Sequence, residues 1–288
     1  MVYSVCAMLK IVSHLVIIGV GLLGSSICLA AKKRGFANTI IGIDRCQETL
    51  DIAQQREAVD VVATELDVLT EINDGLAVIC TPVRSIVGVV EQITAHNGNL
   101  LISDVGSTKT NICSELEQRN FRFVGAHPIA GSEKNGPQFG HADLFQNCLT
   151  VLTPIASSRS EDIEFLQRFW EALGARVQKL EPERHDAILA KTSHLPHAVA
   201  ASLAALLTET ESPFCGTGFA DTTRIASGPP AVWTDIFLEN RQQLLSALEE
   251  FGDRLDALKV ALRDGDVAAI VRFLESAQKL LSPAVSSL

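Results

Sequence analysis

Residues 15–24 read LVIIGVGLLG: an apolar run stops at a glycine, and a helix-period segment begins beyond a second one. No other stretch restricts the fold as tightly. Leu15–Ile18 has the length and β-branched content of a buried strand. The glycines at 19, 21 and 24 give G-x-G-x-x-G at the point where a helix must start. In that spacing the first glycine makes a tight turn, the second lets a phosphate approach the backbone, and the third lets helix and strand pack closely. A helix opening there presents unpaired N–H groups and the positive end of its dipole to an anion. Asp44, at the end of the next strand-like run, lies where a carboxylate can bond both ribose hydroxyls of NAD. The same carboxylate repels a 2'-phosphate, so NAD is expected over NADP. Arg45 beside it can either stack on adenine or help tolerate that phosphate. Expected cofactor contacts are Gly19, Gly21, Leu22, Leu23, Gly24, Asp44, Arg45, Thr81 and Pro82.

Short apolar runs then alternate with helical periodicity up to about residue 153. LVIIG, TIIGID, LAVICT, LLISD, FRFVG and LTVLTP read as strands, with helices after Gly21, Arg45, Pro82 and Ser107. That alternation predicts a parallel sheet covered on both faces, a Rossmann-like α/β domain over 14–154. From 155 to 288 an all-helical dimerisation domain is expected, broken only by the strand-like piece ARVQKL. Pro182 opens a long helix there, with Pro196 as a kink inside it. Phe237, Leu244, Phe251 and Leu258 fall seven apart, with Leu248, Leu255 and Leu262 interleaved. This heptad stripe fits either a core helix of one subunit or a helix packed on a symmetry mate, and a homodimer is expected.

Composition removes several classes of function. A formal net charge of -10 and no run of Lys or Arg exclude a nucleic-acid surface. Seven cysteines without a CxxC pair indicate neither a zinc ribbon nor a disulfide framework, and a reducing cytoplasm is the simplest setting. Lys10 followed by LVIIGVGLLGSSICLAA can be read as a signal peptide. Its glycines and serines interrupt it too often for a membrane span, and no membrane partner is expected.

Taken in order, the glycine motif, SDVGSTKTNI, GAHPIAGSEKNG, SHLPHA and DTTRIA resemble the prephenate dehydrogenase family. That family includes the arogenate and cyclohexadienyl dehydrogenases of tyrosine biosynthesis. The likeness runs from about residue 14 nearly to the end. The glycine motif alone is widespread, whereas GxHPxAG followed by SHLPH is specific. The resemblance implies an NAD-dependent oxidation of the ring C4 alcohol of prephenate, with loss of the ring carboxylate as carbon dioxide. Prephenate and arogenate differ by a keto group against an ammonium, and the sequence leaves that choice open. The chain ends soon after its helical part, so any inhibition by tyrosine is expected at the active site.

The resemblance also assigns residues. His127 matches the catalytic histidine, and an imidazole is mostly neutral and able to accept a proton near neutrality. Ser107 matches a serine that shares the substrate hydroxyl with that histidine; by itself it reads equally as a helix N-cap. Arg224 matches the arginine that grips a substrate carboxylate, a task suited to a planar guanidinium. Its plainer reading is an ion pair with Asp221, which itself falls on a family position that can gate the arginine. The family often has a basic residue just before it, where this chain has Ala220. His194 and His197, three apart on one helix, are both expected at the substrate. Glu133, His185, Asp186 and Trp233 fall on positions that border the pocket or the subunit contact. No metal is expected, since HExxH is absent and no carboxylate completes a ligand set around H-x-x-H.

Two rivals share the glycine motif. A β-hydroxyacid dehydrogenase relies on a lysine with an asparagine four residues later, and here Lys191 is followed by Leu195. A non-catalytic NAD sensor needs the cofactor site but no base, alcohol-orienting serine and anion clamp together.

Overall fold

The computed structural model describes residues 12–119, 121–130 and 134–285. The glycine-punctuated start folds as β1 (Val12–Ile18), α1 (Leu22–Arg34), β2 (Ala37–Ile43), α2 (Gln47–Gln55) and β3 (Val61–Ala63). A second run follows with β4 (Gly75–Ile79), α3 (Ile86–His96), β5 (Leu101–Asp104), α4 (Thr110–Glu117) and β6 (Phe123–Pro128). Then come β7 (Leu149–Thr153), α5 (Ser160–Ala172) and β8 (Arg176–Lys179).

These strands make one sheet in the order β3-β2-β1-β4-β5-β6-β7-β8. Pairing is parallel from β3 through β6. The winding direction reverses between β1 and β4, and their carboxyl ends open a crevice of the kind in which such folds bind ligands. Alternate residues of β1 serve opposite faces, as the two-residue period of a strand requires. Leu15 and Ile17 join a core with Phe36, Phe169 and Trp170. Val16 and Ile18 join the other core, with Val90, Ile93 and Ile112. A side chain of this kind, fully removed from water, contributes roughly 1.5–3 kcal/mol.

Two features depart from the expected parallel domain ending at residue 154. β6 and β7 are antiparallel, with His127 opposite Val151, because a loop and not a crossover helix joins them. The sheet also continues past 154: ARVQKL supplies β8, which pairs with β7 through α5. Residues 155–180 thus belong with the sheet, and the turn-rich stretch at 154–160 is a β–α loop.

Beyond β8 every element is helical: α6 (Pro182–Leu189), α7 (Leu195–Ala204), α8 (Thr217–Thr223) and α9 (Pro230–Glu239). The long helix expected from Pro182 is interrupted by a π-helical turn over Ala190–His194. Pro196 sits in the first turn of α7, where its missing N–H leaves a ladder bond unmade, and the widened turn absorbs the defect. The heptad stripe is likewise divided: Phe237 lies on α9, and Asn240 separates it from α10.

Residues from Arg241 onward form a unit of their own, made of α10 (Arg241–Asp264) and α11 (Val267–Val285). Gly265, at φ +65°, makes the left-handed turn between them. Leu248, Leu255 and Leu262 remain exposed on α10, as do Val267, Val271 and Leu274 on α11. Among the described residues no helix is long and apolar enough to cross a membrane.

Candidate active site

The glycine turn has the shape its spacing predicts. Gly19 takes φ +91°, and a Cβ on it would meet the Cys80 carbonyl carbon and oxygen at 2.9 Å, so β1 and β4 close only around a glycine. A Cβ on Gly24 would lie 2.2 Å from the Gly19 oxygen, which locks α1 against the turn. Gly21, the N-cap of α1, has open space where its Cβ would be. These contacts fit a dinucleotide: the glycines at 19 and 24 are closed in, and room is kept at Gly21, at the helix N-terminus. Asp44 directly follows β2 and braces the same turn: Oδ2 accepts from the Val20 amide at 2.9 Å and Oδ1 from the Cys46 amide at 3.0 Å. Arg45 is exposed beside it.

From this turn a cleft of about 800 Å³ runs across the strand ends. Its walls include Leu22, Leu23, Thr81 and Pro82 on the cofactor side, then Ser107 and His127, and on the far side His194, Arg224 and Trp233. Segments some 200 residues apart in the chain therefore meet around one space, and most of the expected residues line it.

His127 stands in β6, 9% exposed, as part of a buried chain of three side chains. Its Nδ1 lies 2.8 Å from His185 Nε2, and His185 Nδ1 lies 2.8 Å from Asp186 Oδ1. A carboxylate only accepts, so the His185 proton sits on Nδ1 and its Nε2 has a lone pair. In the neutral pair His127 must then donate from Nδ1, which leaves its Nε2 bare. Burial pushes the His127 imidazole well below the ordinary histidine value, helped by His185, Lys109 and His194 nearby, so the ring is held as a free base. Burial by itself would raise the Asp186 carboxyl, but hydrogen bonds from His185 and Thr110 outweigh it and hold the group below the usual carboxylate range.

Asp186 also accepts from the amides of Lys109 and Thr110, at 2.9 and 2.8 Å, and so caps α4 from another segment. Ser107 is therefore not the N-cap of α4. It sits half-buried in the loop before the helix, free to face the cleft. His185 and Asp186, expected to border the pocket or the subunit contact, are buried and linked in line to His127.

The H-x-x-H pair straddles the start of α7: His194 closes the π-helical turn, His197 lies three residues on in regular helix, and of the two only His194 lines the cleft. His194 reaches the cleft wall, held at Nδ1 by Asn240 at 3.1 Å, and burial drives it down to about 4 despite the nearby Asp186. His197 lies behind Trp233, its ring stacked at 3.5 Å and 12°, and supports that indole. Asp221 is exposed on α8, does not line the cleft, and makes no ion pair with Arg224 among the described residues. Glu133 lies outside the described residues.

Reading by motif passed over one buried pair. Asp104, the last residue of β5, forms an ion pair with Lys109, both fully buried beside the Ser107 loop. An aspartate closing the apolar run LLISD was the available clue.

Comparison with known proteins agrees with this geometry. The family model for the prephenate dehydrogenase nucleotide-binding domain matches residues 27–179, and that for the prephenate dehydrogenase dimerization domain matches residues 181–276. The chain is 33% identical to a cyclohexadienyl dehydrogenase of Zymomonas mobilis, over 94% of this chain and 96% of that one. It is 34% identical to a prephenate dehydrogenase of Bacillus subtilis, over 90% of this chain and 73% of that one. The crystal structure of prephenate dehydrogenase from Aquifex aeolicus with hydroxyphenyl propionate and NAD+ superimposes at a TM-score of 0.88 with 30% identity, covering 93% and 97% of the two chains. The chain belongs to the prephenate dehydrogenase family.

Proposed function

We propose that this protein catalyses the NAD-dependent oxidative decarboxylation of prephenate to 4-hydroxyphenylpyruvate in tyrosine biosynthesis. The observation that carries the reading is the bare Nε2 of His127, held by His185 and Asp186 in a cleft continuous with the glycine turn. His127 takes the proton of the ring alcohol. Ser107 orients that hydroxyl toward the imidazole and initiates no acyl chemistry. NAD held at the glycine turn would supply the hydride acceptor, and aromatisation with loss of carbon dioxide would make the oxidation irreversible. Arg224 grips a substrate carboxylate, while Trp233 and the neutral His194 shape the remaining wall. His197 acts through Trp233, and Asp221 does not line the cleft among the described residues.

The turn around Gly19, Gly21 and Gly24, with Leu22, Leu23, Thr81 and Pro82, holds the dinucleotide, and Asp44 with Arg45 takes the adenosine ribose. We place the division between cofactor-binding and helical parts near Leu180. The exposed leucines of α10 and α11, on a segment matched by a dimerization-domain model, support a homodimer. The free cysteines among the described residues suit a reducing cytoplasm.

The similarity to a cyclohexadienyl dehydrogenase over nearly the whole chain favours a second reading, in which arogenate is accepted as well. NADH formation measured side by side with prephenate, arogenate and a panel of 3-hydroxy acids tests both. Turnover of the 3-hydroxy acids alone, or of nothing, refutes the proposal; turnover of arogenate but not prephenate reassigns the substrate.

A further inference from the structure

The β5–β6 ladder ends early. Its last pairs are Ile102 with Phe123 and Ser103 with Val124, after which the strands splay. Across the gap the Asp104 carboxylate takes over from the backbone. Its Oδ1 accepts from the Ala126 amide at 3.1 Å, and its Oδ2 accepts from the Gly106 amide at 2.8 Å. Lys109 folds back into the same gap and closes an ion pair on Oδ2. Ala126 immediately precedes His127, and Gly106 immediately precedes Ser107. One carboxylate thus holds the backbone next to both residues that must meet the substrate hydroxyl. The far end of the loop is held too, since the Lys109 amide donates to Asp186, whose neighbour His185 bonds His127.

A fully buried ion pair is a poor way to gain stability, because desolvation offsets most of the attraction. Apolar side chains would fill the gap at least as well. What they would not supply is two acceptor oxygens at a fixed separation.

We infer that Asp104, neutralised by Lys109, is a positioning residue of the reaction, which sets the distance and angle at which the Ser107 hydroxyl and the His127 imidazole converge on one alcohol. This rests on the function proposed above. Displacement of a reacting group by about 1 Å costs on the order of 10²-fold in rate, while groups that only bind substrate are left in place.

The test uses the full chain. Asp104→Asn/Lys109→Met removes both charges together, so no unpaired charge stays buried, and leaves two amides competing for one carbonyl. Gly106→Ala leaves both charges in the chain and puts a methyl 2.8 Å from Asp104 Oδ2 and from Ile86 Cδ1 and 3.2 Å from Lys109 Nζ, which forces the carboxylate and the loop apart. In folded protein each is expected to lower kcat, by about 10²-fold for the double variant, with KM for substrate and NAD within about threefold of the parent. Ser107→Ala should be costly in the parent and cost less than about twofold in the double variant, since the hydroxyl there is already out of place. The inference is overturned by kcat within about threefold of the parent in either folded variant, or by an undiminished Ser107→Ala effect. A parent silent with prephenate and arogenate refutes the functional reading and this inference with it; an active parent with indifferent variants refutes the inference alone.

Discussion

Replacing His185 by leucine isolates the link that fixes the His127 tautomer. Leucine nearly matches the histidine in volume and suits the interior of α6, and Asp186 keeps its two backbone donors from Lys109 and Thr110. What disappears is the acceptor 2.8 Å from His127 Nδ1. A buried N–H without a partner costs about 1–3 kcal/mol, and that penalty falls only on the tautomer that leaves Nε2 bare. The opposite tautomer turns its proton toward the cleft and cannot act as a base. The competent population, and kcat with it, should therefore drop by about 5- to 150-fold, with KM for NAD unchanged because the glycine turn is not involved. Steady-state NADH formation at saturating prephenate measures the drop, and thermal melts establish that the variant is folded. His185→Gln supplies an amide oxygen to the same Nδ1–H and should recover much of the loss. Folded His185→Leu with kcat within about threefold of the parent, or glutamine no better than leucine, would show that the tautomer is set by something else.

Other perturbations read other parts of the site. Because burial depresses His127 and brings His194 to about 4, kcat/KM should stay level as pH falls through the ordinary imidazole value of about 6.5 and decline only below it. In the same window the unfolded chain takes up protons that these buried rings refuse, so melting temperature should fall as pH drops below about 6.5; an acid limb at or above that value contradicts the assignment. Gly24→Ala forces a methyl to 2.2 Å from the Gly19 oxygen, and opening the turn by about 1–3 kcal/mol should weaken NAD binding at least several-fold in a titration. His127→Asn should lower kcat by about 10²- to 10⁴-fold with little change in KM, whereas Arg224→Ala should mainly raise KM, by about 10-fold or more. Equal losses in both parameters for both variants would remove the division of labour between base and anchor.

The cofactor half of this site was legible because its chemistry is written in backbone constraints. A glycine at φ +91° and a second with 2.2 Å of clearance are demands that few residue types satisfy, so their spacing carries the geometry with it. His127 and Arg224 were found through motif context, and the cleft does bring them together. The helical half was less legible, since spacing along a helix does not say which neighbour packs on each side chain. His194 lines the cleft while His197, three residues on, stacks on Trp233. Strand direction was hidden for a similar reason: periodicity marks β7 as a strand, but the loop before it decides that it runs antiparallel to β6. The Asp186–His185–His127 chain joins residues 58 apart, and local sequence contains no trace of that contact.

The two buried carboxylates of this site divide its electrostatic labour. On the proposed function the substrate is an anion and His127 becomes a cation as it takes the proton, so positive groups help binding while they oppose catalysis. Lys109 lies close enough to depress His127, and an unbalanced ammonium there would make proton acceptance harder still. Asp104 pairs with it directly and offsets part of that effect. Among the described residues Asp186 has no such counterion: its partners are the His185 ring and two backbone amides. Its negative charge therefore remains to offset the positive charge that His127 acquires, transmitted through His185 in a setting where burial weakens screening. Exchanging these roles would not work. A lysine paired to Asp186 would compete with His185 and the two amides for its oxygens and leave the imidazolium without a counter-charge.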